Sequence, residues 1–239
     1  MLSAVSPLEL SQGEKARLKQ WIASSLASNT HTLAAGYQGQ TLIYRDAEKE
    51  LVIKVPHGRG LIRWFHVRML HHEYAVYKKL ENFSAVPKCY GLIDNQYLVL
   101  QYIHGLPIRQ GRPQDEAQYF EQMFQAIGHM HERGVAHMDL KKKDNLLVVE
   151  GVHPCLIDFG TAVIFQPGFH PLNHWRYKLA IRFDYNAWVK HKYHDRMDHV
   201  SEADKPFNNQ TIVEIVARTI KRFYKFHLLP WLRRVLRSL

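Results

Sequence analysis

AHMDLKKKDNLLV, residues 136–148, and LIDFG, residues 156–160, are the stretches whose reading decides this chain. Each sets a carboxylate beside a short apolar run. Asp139 stands just before three lysines, and Asp158 directly follows Leu156 and Ile157. The runs 146–149 (LLVV) and 155–157 (CLI) are too short for helices, so they read as the strands of a small hairpin. Working back, residues 114–133 carry helical spacing and end at Gly134, a residue suited to a helix C-terminus. YLVLQY, residues 97–102, reads as a strand closed by His104 and Gly105. Residues 63–81 form a helix with Leu70, Tyr74, Tyr77 and Leu80 on one stripe. TLIYR (41–45) and LVIKV (51–55) are strands joined by the polar turn DAEKE, hence a hairpin. Residues 8–27 read as an amphipathic opening helix, with Leu10, Leu18, Trp21, Ile22 and Leu26 apolar.

This order is β-rich with one helix, then helical with a small hairpin. It predicts an α+β chain of two lobes, residues 1–103 and 104–239, with a hinge near 101–105. A length of 239 residues suits that size, and 46% hydrophobic residues supply a core rather than disorder. No apolar run is long enough to span a bilayer. Met1 to Gln12 lacks a basic stretch followed by an apolar one, so no secretory signal is expected. Cys89 and Cys155 both sit in apolar surroundings and read as buried thiols in a reducing compartment. A formal charge of +10, before any of 16 histidines is protonated, points to an anionic partner.

Six features share the order of a known set. Gly36-Tyr37-Gln38-Gly39 precedes Lys54 in VIKV, Glu73 lies on the following helix, and LVLQYIHG (98–105) leads from strand to turn. Then come the segments of Asp139 and Asp158. Together they resemble the protein-kinase-like superfamily over about residues 33–165. The resemblance implies ATP and Mg²⁺ as cofactors. Phosphoryl transfer needs the nucleotide's charge neutralised and an acceptor hydroxyl held in line. Val52 and Lys54 share one face of their strand because side chains alternate. Val52 is therefore expected to roof the adenine, while Lys54 reaches the phosphates and pairs with Glu73, 19 residues on. Asp139 is the expected catalytic residue and Asp158 a metal ligand, a hard carboxylate suited to Mg²⁺. His137 braces the loop. Leu100 stands at the gatekeeper position, and the backbone of Gln101 and Ile103 meets the adenine edge.

The departures are specific. The family's metal-binding Asn follows the catalytic Asp by five residues, but position 144 here is Asp and Asn145 comes sixth. Aligning Asn145 treats one of the lysines as inserted and restores the family's 13 residues to Asp158. Asp144 competes with it, since a carboxylate also ligates Mg²⁺. The glycine loop keeps only Gly36 and Gly39, with Ala34 where a first glycine falls; its backbone amides suit phosphate, and a plain turn is the competing reading. Met138 replaces the arginine that usually receives a phosphorylated activation loop.

Only 79 residues follow Gly160, and no Ala-Pro-Glu signature occurs among them. In this the chain is similar to bacterial lipopolysaccharide core kinases, which phosphorylate Kdo or heptose. That likeness implies an anionic glycolipid or sugar acceptor, met by Lys141 two residues beyond Asp139. It also implies a cytoplasmic protein working at the inner face of the inner membrane. A protein serine/threonine kinase and a pseudokinase binding module are the alternatives. Nucleic acid is not expected, as no RNP-type aromatic motif or zinc spacing occurs. Asp184, in RFDYNAWVKHKY (182–193), caps a helix or braces the catalytic loop. Residues 211–239 carry seven Lys/Arg against Glu214 alone. Trp231, Leu232, Val235, Leu236 and Leu239 share one helical face there, opposite Arg233, Arg234 and Arg237. This is a basic amphipathic helix fit for peripheral contact with an anionic membrane, or for packing on the lobe.

Overall fold

The structure is a computed structural model and describes residues 10–35 and 39–208. The tail helix and Gly36 therefore lie outside the described residues.

The chain opens with α1 (Gln12–Ser28), begun by a capping box in which Ser11 and Glu14 satisfy each other's backbone N–H groups. A five-stranded antiparallel sheet follows, ordered β1-β2-β3-β5-β4. Its strands are β1 (Thr32–Ala35), β2 (Gly39–Arg45), β3 (Glu50–Pro56), β4 (Cys89–Ile93) and β5 (Tyr97–Gln101). The expected hairpin is β2 and β3, in register from Gly39↔Pro56 to Arg45↔Glu50. Alternation along β3 sets the two faces. Leu51, Ile53 and Val55 are buried on the outer face against Leu18 and Ile22 of α1, whereas Val52 and Lys54 face the other way. Burying a side chain such as Ile53 stabilises by about 1.5–3 kcal/mol. Across the inner face runs α2 (Gly60–Lys79), which buries Glu73, Val76 and Tyr77.

After β5 the chain crosses residues 102–104 into a second lobe. There β6 (Gly105–Pro107) pairs with β8 (Leu146–Val149), which pairs with β9 (His153–Leu156). α3 (Glu116–Glu132) is capped by Asp115 and buries Tyr119, Met123, Ile127 and Met130 at helical spacing. It stops before Gly134, whose φ of +73° puts it in the left-handed region where only glycine is unstrained. β7 (Val135–Ala136) pairs with β10 (Val163–Ile164), and α4 (Pro171–Lys192) packs behind both. The result is the α+β, two-lobed fold with a reduced helical second lobe. One apolar core spans it, from Val76 and Leu98 to Phe159 and Trp188.

The cysteines are free thiols. Cys155 is buried as expected and burial pushes its pKa up to about 12; Cys89 is half-buried and is pushed to about 11 for the same reason. Among the described residues no helix is long and apolar enough to cross a membrane.

Candidate active site

The cleft between the lobes has a volume of about 900 Å³. At its back, Lys54 Nζ donates to Glu73 Oε1 and Oε2 at 2.7 and 3.0 Å, and to Asp158 Oδ1 at 3.0 Å. Burial alone lowers an ammonium's pKa, but the charges of Glu73 and Asp158 outweigh it and hold Lys54 above its ordinary value. Burial likewise raises Asp158, and Lys54, with Lys142 and His137 behind it, brings it below the ordinary carboxylate value. The group is therefore charged at neutral pH on both sides. Glu73 Oε1 also accepts the Phe159 N–H at 3.2 Å, which ties α2 to the Asp158 segment directly.

The floor is the loop from His137 to Asn145. His137 is wholly buried; its Nε2 bonds the Ile157 carbonyl at 3.0 Å and its ring lies 4.6 Å from that of Phe159. Asp139 is half-buried and accepts from Asn145 Nδ2 at 3.2 Å, and the same Nδ2 reaches the Asp139 carbonyl at 3.1 Å. With its amide nitrogen spent on Asp139, Asn145 keeps its side-chain oxygen for a ligand. Asp144 pairs with Arg109 at 3.0 Å. A three-residue helical turn, Lys143–Asn145, accommodates the extra loop residue.

Beneath the loop sits Asp184 of α4, wholly buried. It accepts the backbone N–H groups of His137 (2.7 Å) and Met138 (2.8 Å), and contacts His131 Nε2 at 3.0 Å. Of the two readings of Asp184, the brace is the one the fold realises. Met138 itself packs against the apolar cluster of Ala136, Val163, Tyr177 and Ala180.

Val52, Leu100, Gln101 and Ile103 line the cleft together with Gly39, Lys54, Glu73, Asp139, Asn145 and Asp158. Gly39 also lies where a Cβ would strike the Val55 carbonyl, so the β2–β3 hairpin can close only around glycine. At the hinge, the Gln101 N–H is committed to the Lys88 carbonyl at 2.8 Å, and the Ile103 carbonyl accepts from Gly105 at 3.0 Å. That leaves the Gln101 carbonyl and the Ile103 N–H, one acceptor and one donor, to meet a base.

Lys141 is not among the residues lining the cleft. Its ammonium lies 5.4 Å from the centre of the Phe183 ring. The neighbouring Lys142 lines the cleft instead, 3.5 Å from Asp158, and Arg109, paired with Asp144 of the same loop, lines it too. Sequence reading did not single out Lys142 or Arg109. The lysine run signals a cation there without saying which side chain turns inward.

A model of the protein kinase domain matches residues 30–196. Among known relatives, a probable serine/threonine-protein kinase fnkB of Dictyostelium discoideum is 31% identical over 102 residues, covering 38% of this chain and 19% of that protein. Serine/threonine-protein kinase ppk8 of Schizosaccharomyces pombe is 30% identical over 126 residues, covering 49% and 24%. The chain thus spans less than a quarter of the length of either. In three dimensions it is similar to the Rio2 kinase from Chaetomium thermophilum, with a TM-score of 0.56 and 20% identity, over 83% of this chain and 68% of that one.

Proposed function

Because the chain belongs to the protein kinase domain family, we propose that it transfers the γ-phosphoryl group of ATP to an alcohol hydroxyl of an anionic, non-peptide acceptor. The sequence resemblance suggests a sugar hydroxyl of lipopolysaccharide core. In this reading the acceptor oxygen attacks the γ-phosphorus and its proton passes to Asp139. The bond from that phosphorus to the β,γ-bridging oxygen breaks, and ADP leaves. Asn145 holds Asp139 from below, and Lys54, positioned by Glu73, meets the α- and β-phosphates. Asp158 and the Asn145 side-chain oxygen are hard donors that fit Mg²⁺, which when bound supplies charge neutralisation to the phosphates. Val52 roofs the base, Leu100, its partner across the β3–β5 ladder, stands beside it, and the hinge groups at 101 and 103 match its edge.

The choice of acceptor rests on one observation. Only residues 161–170 separate Gly160 from the start of α4 at Pro171, a length that offers little platform for an extended peptide. Lys142 and Arg109 at the mouth suit an acceptor that is itself charged. The relatives favour a second reading, a protein serine/threonine kinase, since both named above are such kinases. A binding module without turnover is disfavoured by the assembled set of Lys54, Glu73, Asp139 and Asp158.

Radiolabelled ATP offered with purified core oligosaccharide, and separately with generic protein substrates, decides between the acceptors. Label in the oligosaccharide is the expected result. Label confined to protein would establish the second reading.

A further inference from the structure

Residues 56–72, from Pro56 to the residue before Glu73, hold Arg59, Arg63 and Arg68, four histidines, and no acidic residue. They include the first turns of α2, where Leu61, Ile62, Trp64 and Phe65 are 84, 60, 62 and 55% exposed. Leu61, Trp64, Phe65 and Arg68 fall on one stripe of the helix. The inner side of the same helix lines the cleft through Met69, Leu70 and Glu73. This apolar, cationic ridge therefore stands at the rim of the candidate active site. Large apolar side chains left in water at such a rim mark a contact surface.

A second stretch repeats the pattern. No acid occurs between Asp158 and Asp184. Phe169, Leu172 and Trp175, around the start of α4, are 92, 69 and 57% exposed, and Arg176, Lys178 and Arg182 are exposed beside them. The two stretches are joined at their inner ends, where His72 Nε2 bonds the Ala162 carbonyl at 2.7 Å.

We propose that the first turns of α2, with the start of α4, form a docking surface for an anionic lipid bilayer. The argument is charge complementarity combined with shape. The apolar groups project from a helix end rather than line a groove, they are mixed with cations, and no acid lies among them. Tryptophan and arginine at one level fit the boundary between acyl chains and phosphates. Residues 211–239 carry seven cations against one acid, so their charge does not complement this ridge as that of an anionic bilayer does. Docked in this way, the chain is held at the layer that carries a lipid-anchored acceptor. The inference rests on the glycolipid reading only for that purpose, because vesicle binding is measured without any acceptor.

The test is co-sedimentation of the full chain with vesicles of phosphatidylcholine containing phosphatidylglycerol, against pure phosphatidylcholine, at low and high salt. Binding to the anionic vesicles, reduced by salt, is expected. Leu61→Ser, Trp64→Ser and Phe65→Ser together should weaken it about tenfold or more, given the apolar area withdrawn. Phe169→Ser, Leu172→Ser and Trp175→Ser form a second set on a different element, and a melting curve shows that each set is folded. Unchanged binding by both folded variants, or binding lost only on removal of residues 209–239, overturns the proposal. So does sedimentation of the lipid-free protein as a dimer that the same substitutions dissociate, which would assign the ridge to a second copy. Phosphorylation of soluble oligosaccharide by the variants, measured separately, keeps a failure of the docking surface distinct from a failure of the acceptor reading.

Discussion

Asp184 accepts the backbone N–H of Met138 at 2.8 Å and holds that residue at φ +70°. A methionine in the left-handed region is strained, by about 1–2 kcal/mol, and it persists because its surroundings over-determine it. The second Asp184 oxygen takes the N–H of His137, so one buried carboxylate fixes the two residues before Asp139. The catalytic loop thus takes its shape from a residue 45 positions later in the chain, on α4.

Asp184→Ala should therefore damage the loop through the backbone. Two buried N–H donors lose their acceptor at about 1–3 kcal/mol each, for a loss of about 2–6 kcal/mol. Urea unfolding reads that loss, and kcat should fall with it. A variant as stable and active as the parent would show that the brace is dispensable.

Much of this arrangement was legible in the sequence. The β2–β3 hairpin followed from strict alternation around a polar turn, and the placement of Val52 beside Lys54 followed from the period of two. The helix of Glu73 was legible from its apolar stripe, which packs on a single surface. α4 was not. Its buried face carries Tyr177, Ala180, Asp184, Ala187, Trp188 and His191, polar and apolar mixed, while Asn186 and Val189 are buried on other sides, so no apolar stripe stands out. Its carboxylate could be noticed at Asp184, but not its long-range partners. The direction of each lysine in 141–143 was equally hidden, because a loop has no period and its side chains follow one tight turn at Asn145.

The two candidates for the second metal ligand differ in what they touch. Asn145 is bonded to Asp139, whereas Asp144 is engaged by Arg109. Asn145→Ala should cost about a hundredfold or more in turnover, in the range of a lost first contact to a metal or catalytic group. Asp144→Asn should cost severalfold at most. Steady-state kinetics on both variants checks this, and the reverse order would transfer the role to Asp144.

The cluster of Lys54, Glu73 and Asp158 makes a pH prediction. Asp158 is held below its ordinary value, so its contribution to stability is present at neutral pH. That contribution fades only as pH falls through the acid range, below about pH 4. Lys54 is held above its ordinary value, so its contribution is present below about pH 10 and is lost only at higher pH. The stability difference between the parent and Lys54→Met should be flat from about pH 5 to pH 9 and shrink on acidification below that window. Melting temperatures across pH measure it. A difference that already falls between pH 7 and pH 5 would mean that the pair is not formed as described.

The central claim is that Asp139 acts on the acceptor and not on the nucleotide. The direct measurement is transfer of label from ATP by the parent and by Asp139→Asn, alongside each protein's affinity for ATP·Mg. Turnover should fall by about a hundredfold to ten-thousandfold, the worth of a positioned general base, while nucleotide affinity stays within a few-fold. Substantial transfer by Asp139→Asn, or equal loss of binding and turnover, would contradict the account.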